Sequence, residues 1–201
     1  MNSSNLDRQV ANHFDSLAAA YTSSYTDDSF FAYFLGQRLD IIADSLKDYD
    51  RAKILDVGCG PGMMAYHSIA REFEFFGIDI SEKMIDECNN KFRKEKFVNF
   101  SVGKIQKLDF SDDLFDVVLC MGILEHVPKD EIECALSEIN RVLKPGGQVI
   151  ISLMNENSLF AWQRRVRNYL SKIIFRKDNL SQSYDHLSRP FEEKTILPLL
   201  N

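Results

Sequence analysis

Apolar residues recur along this chain in two rhythms. Near the amino end Leu6, Val10, Phe14, Leu17 and Tyr21 follow helical spacing, which predicts a helix over residues 4–21. A polar break follows, and then Phe31, Phe34, Leu35, Leu39, Ile42 and Leu46 predict a second helix over 28–47, with Asp27 or Asp28 as its cap. From residue 53 the rhythm changes. Short apolar runs at 53–57, 74–79, 97–102, 115–121 and 147–153 read as buried strands. Between them lie helix candidates at 63–71, 81–95 and 130–143. Ser81 is placed to cap the second of these, whose inner stripe is Met84, Ile85, Cys88 and Phe92. The third is expected to start at Asp130 and bury Ile132, Leu136, Ile139 and Leu143. Lys144-Pro145-Gly146-Gly147 supplies its stop and reversal. Strands alternating with helices imply a parallel sheet with right-handed crossovers.

The chemistry concentrates where the first strand ends. Lys53-Ile54-Leu55-Asp56-Val57 runs into Gly58-Cys59-Gly60-Pro61-Gly62 and then into a helix. Strand, glycine turn and helix bring a ligand to a helix N-terminus, and the glycines let the backbone approach it closely. Asp56 lies inside the apolar strand, where a carboxylate is costly without partners. Asp79 ends the next strand, 21 residues after Gly58, where an acid takes ribose hydroxyls. A nucleoside-containing ligand is expected. A dinucleotide site wants a third glycine where Met63 stands, and a P-loop wants Lys-Ser/Thr where Met63-Met64 stands. A nicotinamide dehydrogenase is therefore disfavoured.

Leu-Asp-Val-Gly-Cys-Gly-Pro-Gly (55–62) resembles the first motif of the class I S-adenosylmethionine-dependent methyltransferases. The likeness continues through Phe-Gly-Ile-Asp-Ile-Ser (76–81), Phe-Asp-Val-Val-Leu-Cys (115–120), Leu-Glu-His-Val (124–127) and Leu-Lys-Pro-Gly-Gly (143–147), in the family's order and spacing. The resemblance implies a Rossmann-like, doubly wound, mostly parallel α/β sheet of strand order 3-2-1-4-5 with N-terminal covering helices. It implies one methyltransferase domain over 1–201: covering helices in 1–48, the cofactor-binding core in 49–153 and an acceptor-side cover in 154–201. The family's closing antiparallel hairpin is missing from these 201 residues. A truncated C-terminus is one expectation. Cover of the last strand by residues 158–200, or by a second copy in a homodimer, is another.

By the same resemblance the cofactor is S-adenosylmethionine, with S-adenosylhomocysteine as product. Gly58, Cys59, Gly60 and Gly62 would approach the methionine moiety, and Asp56 would orient that loop and the ligand's amino group. Asp79 would hold the ribose hydroxyls and Ile80 would pack on the adenine. Where the family carries Gly-Asp after the third strand, this chain has Gly103-Lys104. Lys104 thus stands on the adenine side, with Ile105 to pack on the ring and Gln106 or a backbone carbonyl to take the amino group. Met121 and Gly122 would lie beside the donor, and Tyr21 and Arg38 would reach the methionine carboxylate. His126 is the candidate catalytic base for a hydroxyl acceptor, set against a purely structural role in its loop; His13 and His186 are weaker candidates. Glu125 is expected to bond loop backbone groups. The Leu-Glu-His-Val motif and the N-terminal helices look like the quinone-biosynthesis and type 11 small-molecule group.

Bulk properties narrow the partners. The net charge of −6 argues against nucleic acid. Residues 158–177 combine an apolar helical face with six basic residues and no acid, which hints at peripheral membrane contact or an amphiphilic, lipid-linked acceptor. Cys59, Cys88, Cys120 and Cys134 show no metal spacing, so no metal and buried free thiols are expected. The polar amino terminus and the short apolar runs read as a cytoplasmic protein. The leading expectation is methyl transfer to a small molecule, and the alternative is a non-catalytic methyltransferase-like module that binds cofactor or supports a partner.

Overall fold

A computed structural model describes residues 3–23, 25 and 30–153. Two helices, α1 (Ser3–Ser23) and α2 (Phe30–Ser45), precede an alternation of β1 (Lys53–Val57), α3 (Met63–Ala70), β2 (Glu74–Asp79), α4 (Glu82–Lys91), β3 (Val98–Val102), β4 (Phe115–Met121), α5 (Ile132–Val142) and β5 (Leu143–Ser152). The sheet is five-stranded, in the order β3-β2-β1-β4-β5, and every strand pair is parallel. This is the Rossmann-like arrangement expected. The expectations for 154–201 and for a cap at Asp27 or Asp28 lie outside the described residues.

Side-chain alternation along β1 divides the core. Leu55 and Val57 face α5, where Ile132, Ala135, Ile139 and Val142 complete one apolar cluster. Ile54 faces the opposite way, into a cluster with Ile42 of α2 and Leu46 just past its end, Met64 and Ala65 of α3, and Cys88 of α4 with Phe92 at that helix's C-cap. Asp56 shares the face of Ile54 because strand side chains repeat every second residue. Its carboxylate is thereby turned toward α2, where Arg38 lies one helical turn before Ile42.

The amino ends of the strands are tied by charge. Asp116 accepts from the Lys53 backbone N–H at 2.8 Å and from Lys144 Nζ at 2.7 Å. Lys53 Nζ in turn pairs with Glu74 at 3.0 Å. Burial raises the Asp116 pKa, but these donors outweigh it and hold the carboxyl below its ordinary value.

Three expectations need correction. α5 begins at Ile132 after a 3₁₀ turn at Lys129–Glu131 rather than at Asp130, and its fully buried stripe includes Ala135 and Val142 while Leu136 is only partly covered. Cys134 is exposed, because it falls between the buried positions 132, 135 and 139 of that helix. Lys144-Pro145-Gly146-Gly147 does not delay the last strand. β5 starts at Leu143, opposite Phe115, and the tetrapeptide forms an irregularity before pairing resumes at Val117 and Gln148, with Gly146 at φ +78°.

Candidate functional site

The glycine loop is held by its neighbours rather than by capping side chains. The N–H groups of Gly58 and Cys59 both donate to the Ile78 carbonyl, at 2.7 and 2.9 Å. Gly60 N–H donates to Asp79 Oδ2 at 2.9 Å, while Asp79 Oδ1 accepts from Ser81 N–H at 2.9 Å. One carboxylate therefore fixes the loop after β1 and the entry to α4. Cys88 Sγ reaches the Gly60 carbonyl at 3.2 Å and Lys91 Nζ donates to the Pro61 carbonyl at 2.9 Å. Gly58, Gly60 and Gly62 all have positive φ, at 71°, 50° and 71°. Gly58 also lacks room: a Cβ there would sit 2.1 Å from Ile123 Cδ1.

Around this loop stand three buried carboxylates, Asp56, Asp79 and Glu125. Burial pushes the Asp56 carboxyl up to about 7, the Asp79 charge adds to the rise, and Arg38 opposes it. Burial likewise raises Asp79 against its backbone N–H bonds, and raises Glu125 against its own backbone N–H and Arg38. Glu125 Oε2 is buried with no hydrogen-bond partner. Its remaining acceptor capacity meets the Glu125 backbone N–H, a loop group as expected, and the carboxylate lies beside Gly122, with Oε1 3.4 Å from where a Cβ would project. Burial of Tyr21 raises its phenol, against Arg38. The Tyr21 ring faces Gly60, with Cε1 3.9 Å from a Cβ position there.

Helix α1 closes this region. Tyr21 and Phe14 meet edge to face at 6.5 Å, and Phe14 meets the His126 ring in the same way at 5.3 Å. His126 ends a 3₁₀ turn, Leu124–His126, that follows β4. On another side of α1, Asp15 accepts from Ser81 Oγ at 2.6 Å and from Lys83 N–H, Thr22 Oγ1 donates to Glu87 at 2.6 Å, and Asp7 pairs with Lys104. Intervals of eight and seven residues bring positions 7, 15 and 22 to one helical face. That polar stripe was visible in the sequence but was overshadowed by the apolar one.

The predicted positions thus separate into groups. Tyr21, Arg38, Asp56, Cys59, Gly60 and Asp79 are coupled through contact or charge, and Gly58 and Gly62 shape the loop between them. Gly122 adjoins Glu125, and Met121 packs against the α2–α4 core cluster. Ile80 and Lys104 share a separate cleft with α1. Ile105 is buried in the α5 core cluster, and Gln106 is occupied by Glu131 at 2.7 Å. The contributions of Asp7, Asp15, Cys88 and Lys91 went unread, since each acts across a tertiary contact.

The residues also fit a sulfonium amino acid nucleoside. Three carboxylates against one arginine leave an excess of negative charge for a ligand with two cationic centres and one carboxylate. The Asp79 carboxylate takes backbone N–H bonds from Gly60, Ser81 and Ile80 and, with about four lone-pair sites, still has acceptor capacity to spare. The orphaned Glu125 oxygen calls for a donor that the protein does not supply.

A family model described as a methyltransferase domain matches residues 54–147. Over 122 residues the chain is 37% identical to a ubiquinone biosynthesis O-methyltransferase of Alkalilimnicola ehrlichii, covering 60% of this chain and 49% of that protein. A protein of the same name from Acinetobacter baylyi is 28% identical over 78% of this chain and 66% of its own length. The chain spans about half the length of the first of these relatives. Magnesium protoporphyrin IX methyltransferase from Synechocystis, solved with S-adenosylhomocysteine bound, superposes with a TM-score of 0.74 over 95% of this chain and 85% of its own; at 20% identity this likeness is one of fold. Among the described residues no helix is long and apolar enough to cross a membrane.

Proposed function

We propose that this chain, which belongs to the class I S-adenosylmethionine-dependent methyltransferases, binds S-adenosylmethionine at the carboxyl ends of β1, β2 and β4 and directs its methyl group to a hydroxyl of a small-molecule acceptor. The observation that carries the reading is the set of three buried carboxylates, Asp56, Asp79 and Glu125, beside a glycine loop, with Arg38 acting on Asp56 and Glu125. The cofactor supplies a sulfonium methyl that is displaced in line, with a neutral thioether leaving. The protein's task is then alignment, and holding reactants in register is worth about 7–11 kcal/mol. Asp79 keeps acceptor capacity for the ribose diol. Asp56 and Glu125 offset the ligand's positive charge, Arg38 and Tyr21 receive its carboxylate, and Gly58–Gly62 lets the backbone approach without collision. Calorimetric titration with S-adenosylhomocysteine tests this reading directly; absence of binding at millimolar ligand would overturn it.

The hydroxyl acceptor is supported by the names of the two quinone-pathway relatives, and an amphiphilic or lipid-linked acceptor by the basic, apolar composition of 158–177. His126 is assigned as the base that accepts the hydroxyl proton. In an acceptor screen that follows S-adenosylhomocysteine release, phenols and catechols should be the productive class. His126→Ala should lower kcat by about 10²–10⁴-fold while leaving cofactor affinity intact. Equal turnover would leave His126 only its packing role against Phe14.

Cofactor affinity should depend on pH in a definite direction. A cationic ligand favours ionised Asp56, so binding expels its proton, and affinity should rise by up to about tenfold per unit as pH climbs toward 7. The unliganded protein behaves oppositely. Its folded state holds a proton that the unfolded chain releases near pH 4, so the stability linked to Asp56 is complete below that value and is lost as pH rises through about 7. Asp56→Asn should flatten both profiles, measured by titration and by thermal unfolding across pH 5–8.

A further inference from the structure

Resting on that reading of the cofactor, we propose that Asp7 of α1 reads the adenine base, with Lys104 as its partner. Beside the ribose end of the site lies a cleft of about 400 Å³ lined by α1 and the end of β3, with Ala11, Ile80 and Val102 as its apolar walls. It adjoins Asp79 directly: Val102 is the Cα partner of Asp79 across β2 and β3, and Gly103 N–H donates to the Asp79 carbonyl at 2.9 Å. A base attached to a ribose held at Asp79 has this cleft for a neighbour.

Within the cleft, Asp7 and Lys104 form an ion pair whose carboxylate is only 12% exposed while the lysine is 47% exposed. The pair presents an acceptor next to a donor. Adenine presents the complement, an exocyclic N–H donor next to a ring-nitrogen acceptor. Among the residues that line the cleft, Asp7 alone carries a carboxylate, beside the cations Arg8 and Lys104. Gln106 lies outside that lining, with its Nε2 donating to Glu131, and Ile105 is buried in the core. The recognition carboxylate therefore comes from the N-terminal helix, and the lysine in the loop after β3 orients it. Asp15 and Thr22 clamp the same face of α1 to α4 and so fix the distance between Asp7 and the β3 end.

The test compares S-adenosylhomocysteine with S-inosylhomocysteine by calorimetry on the full chain. The inosyl ligand puts a carbonyl oxygen where the amino group was, so it meets the Asp7 carboxylate with like polarity. The unaltered protein should bind the adenosyl ligand at least tenfold more tightly. Asp7→Asn, whose amide offers either a donor or an acceptor in the same volume, should bring the two affinities to within about threefold. Lys104→Ala should weaken adenosyl binding and narrow the ratio. Thermal unfolding of each ligand-free variant separates a folding defect from a recognition defect. If the unaltered protein does not discriminate, or if Asp7→Asn keeps the full ratio, Asp7 does not read the base. If the unaltered protein binds neither ligand, the cofactor reading itself falls, which is a distinguishable result.

Discussion

Gly58→Ala is expected to abolish measurable binding of S-adenosylhomocysteine and to destabilise the fold by about 2–5 kcal/mol. Two penalties coincide there. The backbone has φ +71°, which an L side chain adopts at a cost, and the added Cβ lands 2.1 Å from Ile123 Cδ1 and 2.4 Å from its Cγ1. Ile123 is β-branched, stiff about χ1 and packed on the α5 core cluster, so it cannot swing aside freely. It also immediately precedes the turn that carries Glu125 and His126, so its displacement moves both. Gly36→Ala is the control. Nothing lies within 4 Å of a Cβ at that position in α2, and the substitution should stabilise by about 0.5–1 kcal/mol with ligand affinity unchanged. Denaturant unfolding and calorimetry read the two effects separately. Unaltered binding in Gly58→Ala would mean that the loop does not form the ligand cradle.

Asp79→Ala should lower affinity for S-adenosylhomocysteine by at least about a hundredfold and cost about 2–5 kcal/mol of stability. The side chain satisfies Gly60 N–H and Ser81 N–H, at 2.9 Å each, in a region where little water reaches them. Removing it orphans both donors, and an orphaned buried donor costs about 1–3 kcal/mol. The loss extends past the ribose contact because the glycine loop and the start of α4 lose their common anchor. Asp79→Asn retains one acceptor and turns a donor toward the other N–H, so its effects should fall between those of alanine and the native residue. An alanine variant of unchanged affinity would put the ribose elsewhere.

Much of this was legible before the fold was known, for identifiable reasons. Strand position and face follow from alternation, so the placement of Asp56 opposite the α5 side is fixed by Ile54 and Leu55. The left-handed turn follows from glycine, and the pairing of Asp79 with the loop from its place at the end of β2. What could not be read depends on contacts between distant segments. Nothing local says that Asp15 would meet Ser81, 66 residues away, or that Asp7 would meet Lys104 across 97. Lys104 alone looked like a lost acceptor, and only its tertiary partner supplies one. Cys134 was misjudged because membership in a helix does not say which face a residue takes. The stop and reversal signal at 144–147 does not reveal a strand that already begins at Leu143, because an irregular bulge and a turn draw on the same residues.

The Asp116 knot and the glycine loop lie at opposite ends of the same strands. Lys53, Glu74, Asp116 and Lys144 tie four strand origins together far from the glycine loop, while the costly features, positive φ and buried carboxylates, gather at the other pole. The strand anchors and the residues of the proposed site are therefore spatially segregated in this molecule. Substitutions that reinforce the anchored pole can raise heat tolerance without trading away turnover. Selection for a new acceptor can rework the opposite pole against a reserve of stability that it does not spend.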